Sequence, residues 1–287
     1  MLYDVNMNLI NSFISFKLKF FKSHVRQFFL KFFFGPNIKA LLVPTEFGDM
    51  LIPPSDLHVS RQILKSGNYN PDEIIHLKNL VSKKDNLLVI GAHIGSYVIP
   101  ASKLVSKVFA IEANPNNFQL LTRNITLNKL NNIEAFNFAA AEKRGEIEFL
   151  LSIENSGGSK RKPFIEKNAY YYDNPSVIKV NSYALDQKFK QRFDVVMMDI
   201  EGSEFFAMQG MKRIIKNARI FIFEFIPDHL ESVAHVSVKD FVAQIPLKHF
   251  EQAFFPRLSL KIKIEDLEAT LEKVVELKEY EDGIILY

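Results

Sequence analysis

The sequence predicts an α/β protein built on a doubly wound, mostly parallel sheet with helices on both faces. From Asn86 onward, short apolar runs alternate with amphipathic stretches, a spacing typical of β-α-β units with parallel strands. The first strong run, NLLVIG, passes through the glycine-containing turn GAHIG into a helical pattern. Because β-α-β crossovers are right-handed, these two observations together indicate a doubly wound sheet.

The first half of this alternation contains two strands and two helices. In order they are the strand NLLVIG, the short crossover helix SYVIPASKLVS, the strand KVFAIEA and the helix NPNNFQLLTRNITLNKL. Asn114 and Pro115 suit the start of the last helix, because Asn caps helices and Pro is tolerated at the first helical position. Residues 41–85 show little periodicity, although NPDEIIHLKNLV has the same start signal at Asn70 and Pro71.

The second half continues the pattern around one long polar excursion. IEAFNFAAAE and EIEFLLS are predicted strands, and the aperiodic stretch SIENSGGSKRKPFIEKNAYYYDNPS is predicted to be a loop. There follow the strands IKVNSY and RFDVVMMDIEG, one helix through EFFAMQGMKRIIKN, the strand ARIFIFEFI and a final strand in EYEDGIILY. The polar excursion is a candidate lid over a substrate, since functional loops often have such composition.

Composition excludes several classes of function. The chain is 47% hydrophobic and 24% charged, as expected for a folded globular protein. It has no cysteine, which excludes disulfides, thiolate nucleophiles and cysteine-ligated metals and fits a cytoplasmic protein. A net charge of +3 does not favour nucleic acid as a partner. No two histidines have ligand spacing on one helix, so no metal site is predicted.

The N-terminal segment differs from the rest of the chain. We divide the sequence into residues 1–40, basic and rich in phenylalanine, and a domain of residues 41–287. Within residues 8–34, lysines and arginine alternate with apolar positions at three- and four-residue intervals, which predicts an amphipathic helix. The charges interrupt it too often for a membrane span. It suits peripheral contact with the anionic inner membrane face, or packing on its own domain or on a second protomer.

The turn after the first strand is a candidate nucleoside site. Gly91 and Gly95 allow the backbone to approach a ligand closely, and the first strand-to-helix turn lies nearest the ligand in sheets of this kind. Glu112 ends the next strand, 21 residues after Gly91. An acid at that spacing is placed to accept hydrogen bonds from ribose hydroxyls.

Carboxylates farther along the chain narrow the choice of nucleoside. Asp199, Glu201 and Glu204 gather after the fourth strand of the parallel set, where they would repel a pyrophosphate but attract an ammonium and a sulfonium. That description fits S-adenosylmethionine. An NAD-dependent oxidoreductase is disfavoured, because GAHIGSY lacks the Gly-x-Gly-x-x-Gly spacing.

The motifs VIGAHIGSY, AIEANPNNFQLLTRNITLN, VVMMDIEGSEFFAMQG and IFEF resemble, in order and spacing, those of the FkbM-family methyltransferases. These are class I S-adenosylmethionine-dependent O-methyltransferases. The resemblance covers about half of the chain, from Asn86 to Phe225, and its DIEGSE-like element is the most specific part. It implies a Rossmann-like methyltransferase sheet with an antiparallel last strand, and methyl transfer to a hydroxyl of a sugar, a glycan or a small natural product.

The resemblance also implies which residues form the site. It points to Asp199, Glu201 and Glu224 as candidate catalytic residues. The implied cofactor-binding residues are Gly91, Ala92, His93, Gly95, Glu112, Ala113, Phe138 and Asp199. The sequence departs from the family's VDIGANIG-like pattern at Val89, where an acid is usual, and at His93, where Asn is common.

Two interpretations of the catalytic acids stay open. Asp199 is the first candidate for the base that removes the proton of the acceptor hydroxyl, since it ends a strand beside the cofactor. Glu201 and Glu204 could instead be first-turn acids that stabilise the following helix through its dipole. Glu224, alone in an apolar strand, should face the site or be paired. Because Val89 stands where an acid is usual, a second function stays open. The chain could be a degenerate family member that is used for binding or assembly.

Overall fold

The structure is a computed structural model that describes residues 37–287 together with Val25, Phe29, Phe32, Phe33 and Gly35. The helix predicted within residues 1–40 therefore lies almost wholly outside the described residues. Among the helices that are described, none has both the length and the apolar character needed to cross a bilayer.

Strands and helices alternate along the described part of the chain. The strands are β1 (Leu41–Thr45), β2 (Gly48–Ile52), β3 (Asn86–Ile90), β4 (Lys107–Glu112), β5 (Ile133–Asn137), β6 (Ala139–Ala140), β7 (Gly145–Leu151), β8 (Lys160–Arg161), β9 (Ser176–Tyr183), β10 (Val195–Met198), β11 (Ile220–Phe225), β12 (Gln252–Phe255), β13 (Leu260–Lys263) and β14 (Glu281–Leu286). The helices are α1 (Val59–Ser66), α2 (Pro71–Leu80), α3 (Val98–Ser102), α4 (Pro115–Leu127), α5 (Leu185–Lys188), α6 (Glu204–Gln209), α7 (Lys212–Asn217), α8 (Pro227–His229), α9 (Val238–Val242) and α10 (Leu267–Leu277).

The central sheet has eight strands in the order β13-β12-β14-β11-β10-β3-β4-β5. Strands β11, β10, β3, β4 and β5 are parallel, and β14 runs antiparallel to β11. The predicted Rossmann-like methyltransferase sheet with a reversed last strand is therefore confirmed. The stretch between β11 and β14, which has no predicted element, adds β12 and β13 to this sheet and α10 to the helices that cover it.

Alternate residues of the parallel strands pack into two hydrophobic cores, one on each face of the sheet. In β3, Leu88 and Ile90 join one core, while Leu87 and Val89 join the other. Val89 is only 2% exposed, so the position at which the family pattern has an acid is apolar and buried here. The strand is buried on both faces, as its continuous apolar sequence predicts.

The predicted excursion loop turns out to be partly structured. Its strand β8 joins a second sheet in the order β6-β9-β7-β8, so EIEFLLS and IKVNSY belong to this smaller sheet and not to the central one. The carboxylate of Asp173 accepts hydrogen bonds from the Ser152 hydroxyl at 2.8 Å and from the backbone N–H groups of Ile153 and Glu154 at 2.6 and 2.8 Å. These bonds fold the segment back on itself, a contact that no local pattern indicates.

The single helix predicted through EFFAMQGMKRIIKN is two helices, α6 and α7, that meet at Gly210. A Cβ atom at Gly210 would lie 2.0 Å from the backbone oxygen of Ala141 and 2.9 Å from the Cα of Ala184. The chain therefore passes directly over two neighbouring backbone segments, and the periodic apolar pattern does not reveal this close approach. The crossover helix after β3 is also shorter than predicted, since regular structure is confined to α3.

We expect Gly210→Ala to lower the free energy of unfolding by roughly 2–3 kcal/mol, because the added methyl meets backbone atoms that cannot rotate away. Denaturant unfolding followed by circular dichroism measures the change. Gly145→Ala is the matched control, since the nearest atom to its added Cβ lies 3.8 Å away. Equal stability of the two variants would contradict the close approach at Gly210.

Candidate functional site

A cavity of about 250 Å³ opens where β3, β4, β10 and β11 end. The carboxyl ends of parallel strands are where ligands bind in sheets of this kind. Of the residues predicted from the sequence, those in its wall are Gly91, His93, Glu112, Ala113, Phe138, Asp199, Glu201 and Glu224. Side chains predicted from four separate strand ends thus face one space.

The turn after β3 is held close to both neighbouring strands. A Cβ atom at Gly91 would lie 1.7 Å from the backbone oxygen of Asp199, and Gly91 has a φ of 92°, so only glycine fits. The N–H groups of Gly91 and Ala92 both donate to the carbonyl of Ile111 at 2.9 Å. The turn is therefore fixed between the end of β4 and the end of β10.

Two of the predicted cofactor-binding residues lie behind the cavity wall. The side chain of Ala92 packs in one of the two hydrophobic cores. Gly95 makes room for packing, since a Cβ there would lie 3.1 Å from the Cδ1 of Leu121. Both residues shape the turn and do not line the cavity.

Glu112 is fixed in place by the backbone of the turns around it. One carboxylate oxygen accepts a hydrogen bond from the N–H of His93 at 2.7 Å, and the other accepts from the N–H of Asn114 at 2.7 Å. Burial raises the pKa of Glu112 to about 7, although these two donors act to lower it. Each oxygen can accept a further hydrogen bond, so the carboxylate can still bind hydroxyl groups in the cavity.

The side chain of His93 ties the glycine turn to the excursion segment. Its Nε2 lies 2.7 Å from the Ser156 hydroxyl, which donates to Asp56 at 2.5 Å. Asp56 also accepts from the N–H of Ser156 at 2.9 Å. We call these three side chains the roof bridge. All three are buried, and the bridge closes one side of the cavity with contacts between distant parts of the chain.

The catalytic candidates form a dense group of carboxylates. Burial, and then Glu201 and Glu204, raise the pKa of Asp199 well above its usual range. Burial, and then Asp199 and Glu201, raise the pKa of Glu224 in the same way. Among the described residues, Glu224 is buried at the strand end and faces the cavity. Glu224 thus lies near the end of β11 and lines the cavity.

Lys160, from β8, reaches into this group. Its Nζ lies 3.1 Å from Oε2 of Glu201 and 2.9 Å from Nε2 of His229, and 4.6 Å from the centre of the Tyr170 ring. Burial acts to raise the pKa of Glu201, but Lys160 and His229 outweigh it and leave that pKa below its usual value. Burial, followed by the Lys160 charge, lowers the pKa of His229 to about 4.

Three side chains in this group have the spacing of a metal site. Glu201, Glu224 and His229 each offer a ligand atom within 4.8 Å of the others, a grouping that the sequence spacing did not predict. The ammonium of Lys160 already contacts two of the three. Because an ammonium and a divalent cation would compete for the same electron pairs, Lys160 occupies the cation position of this cluster.

Glu204 has the structural role that the sequence left open. It is the first residue of α6, is 4% exposed, and accepts a hydrogen bond from the N–H of Ile200 at 2.9 Å. Burial raises its pKa to about 7. Its carboxylate therefore stabilises the turn that presents Asp199 and Glu201.

Several cavity residues were not predicted as site residues. His58, Tyr69 and Glu73 come from the region before β3, where the sequence has little periodicity, and Asp282 comes from β14. The one available signal was the charge in NPDEIIHLKNLV, since Glu73 follows a clear helix start. Tertiary packing alone brings the others to the cavity.

The chain was compared with models of known protein families and with curated proteins. A family model described as the methyltransferase FkbM domain matches residues 90–254, more than half of the chain. No curated protein matches the chain.

Solved structures with similar folds are distant in sequence. Methyltransferase FkbM from Methylobacillus flagellatus KT is 16% identical over 72% of this chain and 44% of that chain, with a TM-score of 0.43. M. jannaschii TYW2, solved in complex with AdoMet, is 16% identical over 66% of this chain and 63% of that chain, with a TM-score of 0.40. The chain thus spans less than half the length of the first of these proteins.

The raised pKa values predict how stability depends on pH. Glu112 and Glu204 have pKa values of about 7 in the folded chain against 4.5 ordinarily. Their contribution is complete below about pH 4.5 and is lost as pH rises through about 7, because the folded state holds protons that the unfolded chain releases. We expect the unfolding temperature of ligand-free protein to fall between about pH 6.5 and pH 8. This range lies at or above the pKa that His229 has in either the folded or the unfolded chain. Differential scanning calorimetry measures the unfolding temperature.

Glu112→Gln and Glu204→Gln serve as controls for this pH dependence. Each removes one titrating carboxyl and should flatten the decline, because the amide cannot ionise. An unfolding temperature that rises across the same window, or a decline unchanged in both variants, would show that these carboxyls are not protonated as described.

We expect Lys160→Ala to lower the free energy of unfolding by about 3 kcal/mol, because it leaves Glu201 without its partner cation. Zn²⁺ should then raise the unfolding temperature of this variant but not that of the unaltered protein, since removing Lys160 frees the metal-spaced cluster. The matched control is Lys160→Ala with His229→Ala, which lacks one ligand. Equal Zn²⁺ stabilisation of the unaltered protein would mean that Lys160 does not occupy the cation position.

Proposed function

Because the chain belongs to the methyltransferase FkbM domain family, we propose that it is an S-adenosylmethionine-dependent O-methyltransferase. Its acceptor would be a hydroxyl of a sugar, a glycan or a small natural product. The observation that carries the proposal is one cavity lined by Glu112, held by the glycine turn, and by the Asp199 and Glu224 carboxylates. These two features suit the two chemically different ends of the cofactor.

The residues around Glu112 fit a nucleoside. The carboxylate of Glu112 has free acceptor positions for ribose hydroxyls, and Ala113 and Phe138 add apolar surface to the same wall. Phe138 is fixed by an edge-on contact with the Tyr183 ring, with centroids 5.0 Å apart. We infer that these residues bind and orient the adenosine part of the cofactor.

The acid-rich part of the cavity fits a cation. Burial and neighbouring carboxylates raise the pKa values of Asp199 and Glu224 well above their usual range. A bound cation lowers both pKa values again, so cation binding and proton release are coupled. This region would repel the pyrophosphate of NAD. When bound, the cofactor supplies an electrophilic methyl group on a positively charged sulfur.

Asp199 is our candidate for the general base. Its carboxylate faces the cavity beside the Gly91 turn and, once ionised, could accept the proton of an acceptor hydroxyl. The hydroxyl oxygen would bond to the methyl carbon as its proton moves to Asp199, while the bond between that carbon and sulfur would break and leave a neutral thioether. Glu201 is less suited to this role because its carboxylate is paired with the Lys160 ammonium. Glu224 is the second candidate. The main contribution of the enzyme would be alignment of the acceptor with the methyl group.

One observation favours a second candidate function, that of a degenerate family member that binds a ligand or partner without methyl transfer. Val89 is packed in the core, so β3 contributes no carboxylate to the site. In either case residues 8–34 would serve as a contact to an anionic inner membrane surface or to a second protomer, and we propose a cytoplasmic setting for the domain.

Isothermal titration calorimetry with S-adenosylmethionine and with NAD tests the proposal. We expect micromolar binding of S-adenosylmethionine and none of NAD. Glu112→Gln should weaken binding by about tenfold to a hundredfold, because hydrogen bonds to a charged group contribute roughly 1.5–3 kcal/mol. Glu134→Gln, an exposed acid on the adjacent strand, should leave binding unchanged.

The outcomes separate the candidate functions. Binding that depends on Glu112, together with methyl transfer to a hydroxylated acceptor, supports the methyltransferase. Binding without transfer to any of a panel of sugars and phenols supports the degenerate member. Preference for NAD, or no binding of either nucleoside by folded protein, refutes the proposed cofactor.

A further inference from the structure

Helix α2 places a carboxylate in the cavity wall, on the face of the sheet that contains Val89. Ile74 and Leu77 of α2 pack in the same hydrophobic core as Val89 and Tyr97. Glu73, next to Ile74, lines the main cavity and also a second cavity of about 400 Å³ beneath α2. An acid from this helix thus reaches the end of β3 on the side where the strand itself offers only a valine.

The sheet order separates Glu73 from Glu112. Glu112 ends β4, on one side of β3. The second cavity, which α2 lines, is bordered by Met197 of β10 and Ile222 of β11, on the other side of β3. A ligand with its ribose at Glu112 that extends across the Gly91 turn therefore arrives at Glu73 and Asp199.

Neighbouring side chains hold the Glu73 carboxylate in position. The Asn70 amide donates to Oε1 of Glu73 at 2.7 Å, and the Tyr97 hydroxyl donates to Oε2. Asn70 also donates to the Tyr97 hydroxyl at 3.0 Å. We call Asn70, Glu73 and Tyr97 the α2 cluster. Its donors fix the carboxylate, but they supply no positive charge.

Asn70 has a left-handed backbone conformation, and its side chain contacts Glu73 and Tyr97. It precedes the first residue of α2 with a φ of 42°, and its side chain makes no capping hydrogen bond to the helix. Asn usually caps a helix from an extended conformation, but it is also one of the few residues other than glycine that tolerate the left-handed region. In this conformation the amide bonds to Glu73 and Tyr97.

The side chains that hydrogen-bond to Glu73 are uncharged, and Arg257, which lines the second cavity together with Glu73, is paired with Glu279. Burial raises the pKa of Glu73 to about 7, and Asp282 and Asp72 act in the same direction. Glu73 is in turn among the charges that raise the pKa of Asp199. Lys160, by contrast, is bound to Glu201 and His229. The two acids thus share a region whose charge a ligand could balance.

We propose that Glu73 binds the ammonium group at the amino-acid end of the cofactor, and that α2 thereby provides the carboxylate that β3 lacks at Val89. This inference rests on the proposed function, because it assigns one end of the same ligand. The ammonium would donate to Glu73, which leaves Asp199 to accept the proton of the acceptor hydroxyl. Glu73 is a binding residue here and takes no part in proton transfer from the acceptor.

Two ligands that differ only in the amino-acid end test the assignment. S-adenosylhomocysteine carries the ammonium and no charge on sulfur, whereas 5′-methylthioadenosine has the same nucleoside and lacks the amino-acid end. We expect Glu73→Gln to weaken the binding of S-adenosylhomocysteine by about tenfold or more, because a hydrogen bond to a charged group is lost. The binding of 5′-methylthioadenosine should weaken by less than about twofold. Calorimetry on the full chain measures both. The glutamine can keep its contacts with Asn70 and Tyr97.

Glu134→Gln is the control, since Glu134 is an exposed acid that lines neither cavity. It should leave both affinities unchanged. Glu73→Asp retains the charge on a shorter side chain and should lose less S-adenosylhomocysteine affinity than Glu73→Gln. Circular dichroism and the unfolding temperature establish that each variant is folded, and Glu73→Asp provides the comparison if Glu73→Gln is not.

The outcomes are distinct. Selective loss of affinity for S-adenosylhomocysteine supports the ammonium site. Equal loss of affinity for both ligands means that Glu73 has a structural role, and unchanged affinity for both means that it has no role in binding. Either of these two results overturns the inference while the proposed cofactor stands. If the unaltered protein binds neither ligand, the proposed function fails and this inference fails with it.

Discussion

The close contact between the Gly91 turn and the end of β10 is the constraint on which the site depends. The turn can lie against the Asp199 carbonyl only because position 91 has no side chain. That contact brings the end of β3 level with the ends of β4 and β10, so Glu112 and Asp199 border one cavity. It also presents the N–H of His93 to Glu112. The geometry of the cavity thus follows from one backbone crossing.

Excess negative charge is the second organising feature of the molecule. Several carboxylates line the cavity, Lys160 pairs with Glu201 beside it, and Arg161 in the wall pairs with Glu142. Burial and neighbouring carboxylates raise the pKa values of Asp199 and Glu224, while backbone donors hold Glu112 and Glu204. A cationic ligand beside these acids would lower their pKa values and be stabilised by them.

The sequence predicted the parts of the structure that depend on local pattern. The strands of the parallel sheet, the start of α4 at Pro115 and the position of Glu112 followed from apolar periodicity, capping residues and spacing. The break at Gly210 did not, because its cause is the backbone of Ala141, far away in the chain. Lys160 was predicted only as part of a polar loop. Its burial depends on β8 pairing with β7, and a two-residue strand has no recognisable pattern of its own.

The roof bridge has a consequence for how the cavity wall opens. Asp56, His93 and Ser156 join three segments that are far apart in sequence, and they close one side of the cavity. Movement of the Ser156 segment away from the Gly91 turn breaks these hydrogen bonds together, so opening of this wall is a conformational event. Its rate should fall steeply on cooling, as the rates of local opening reactions do.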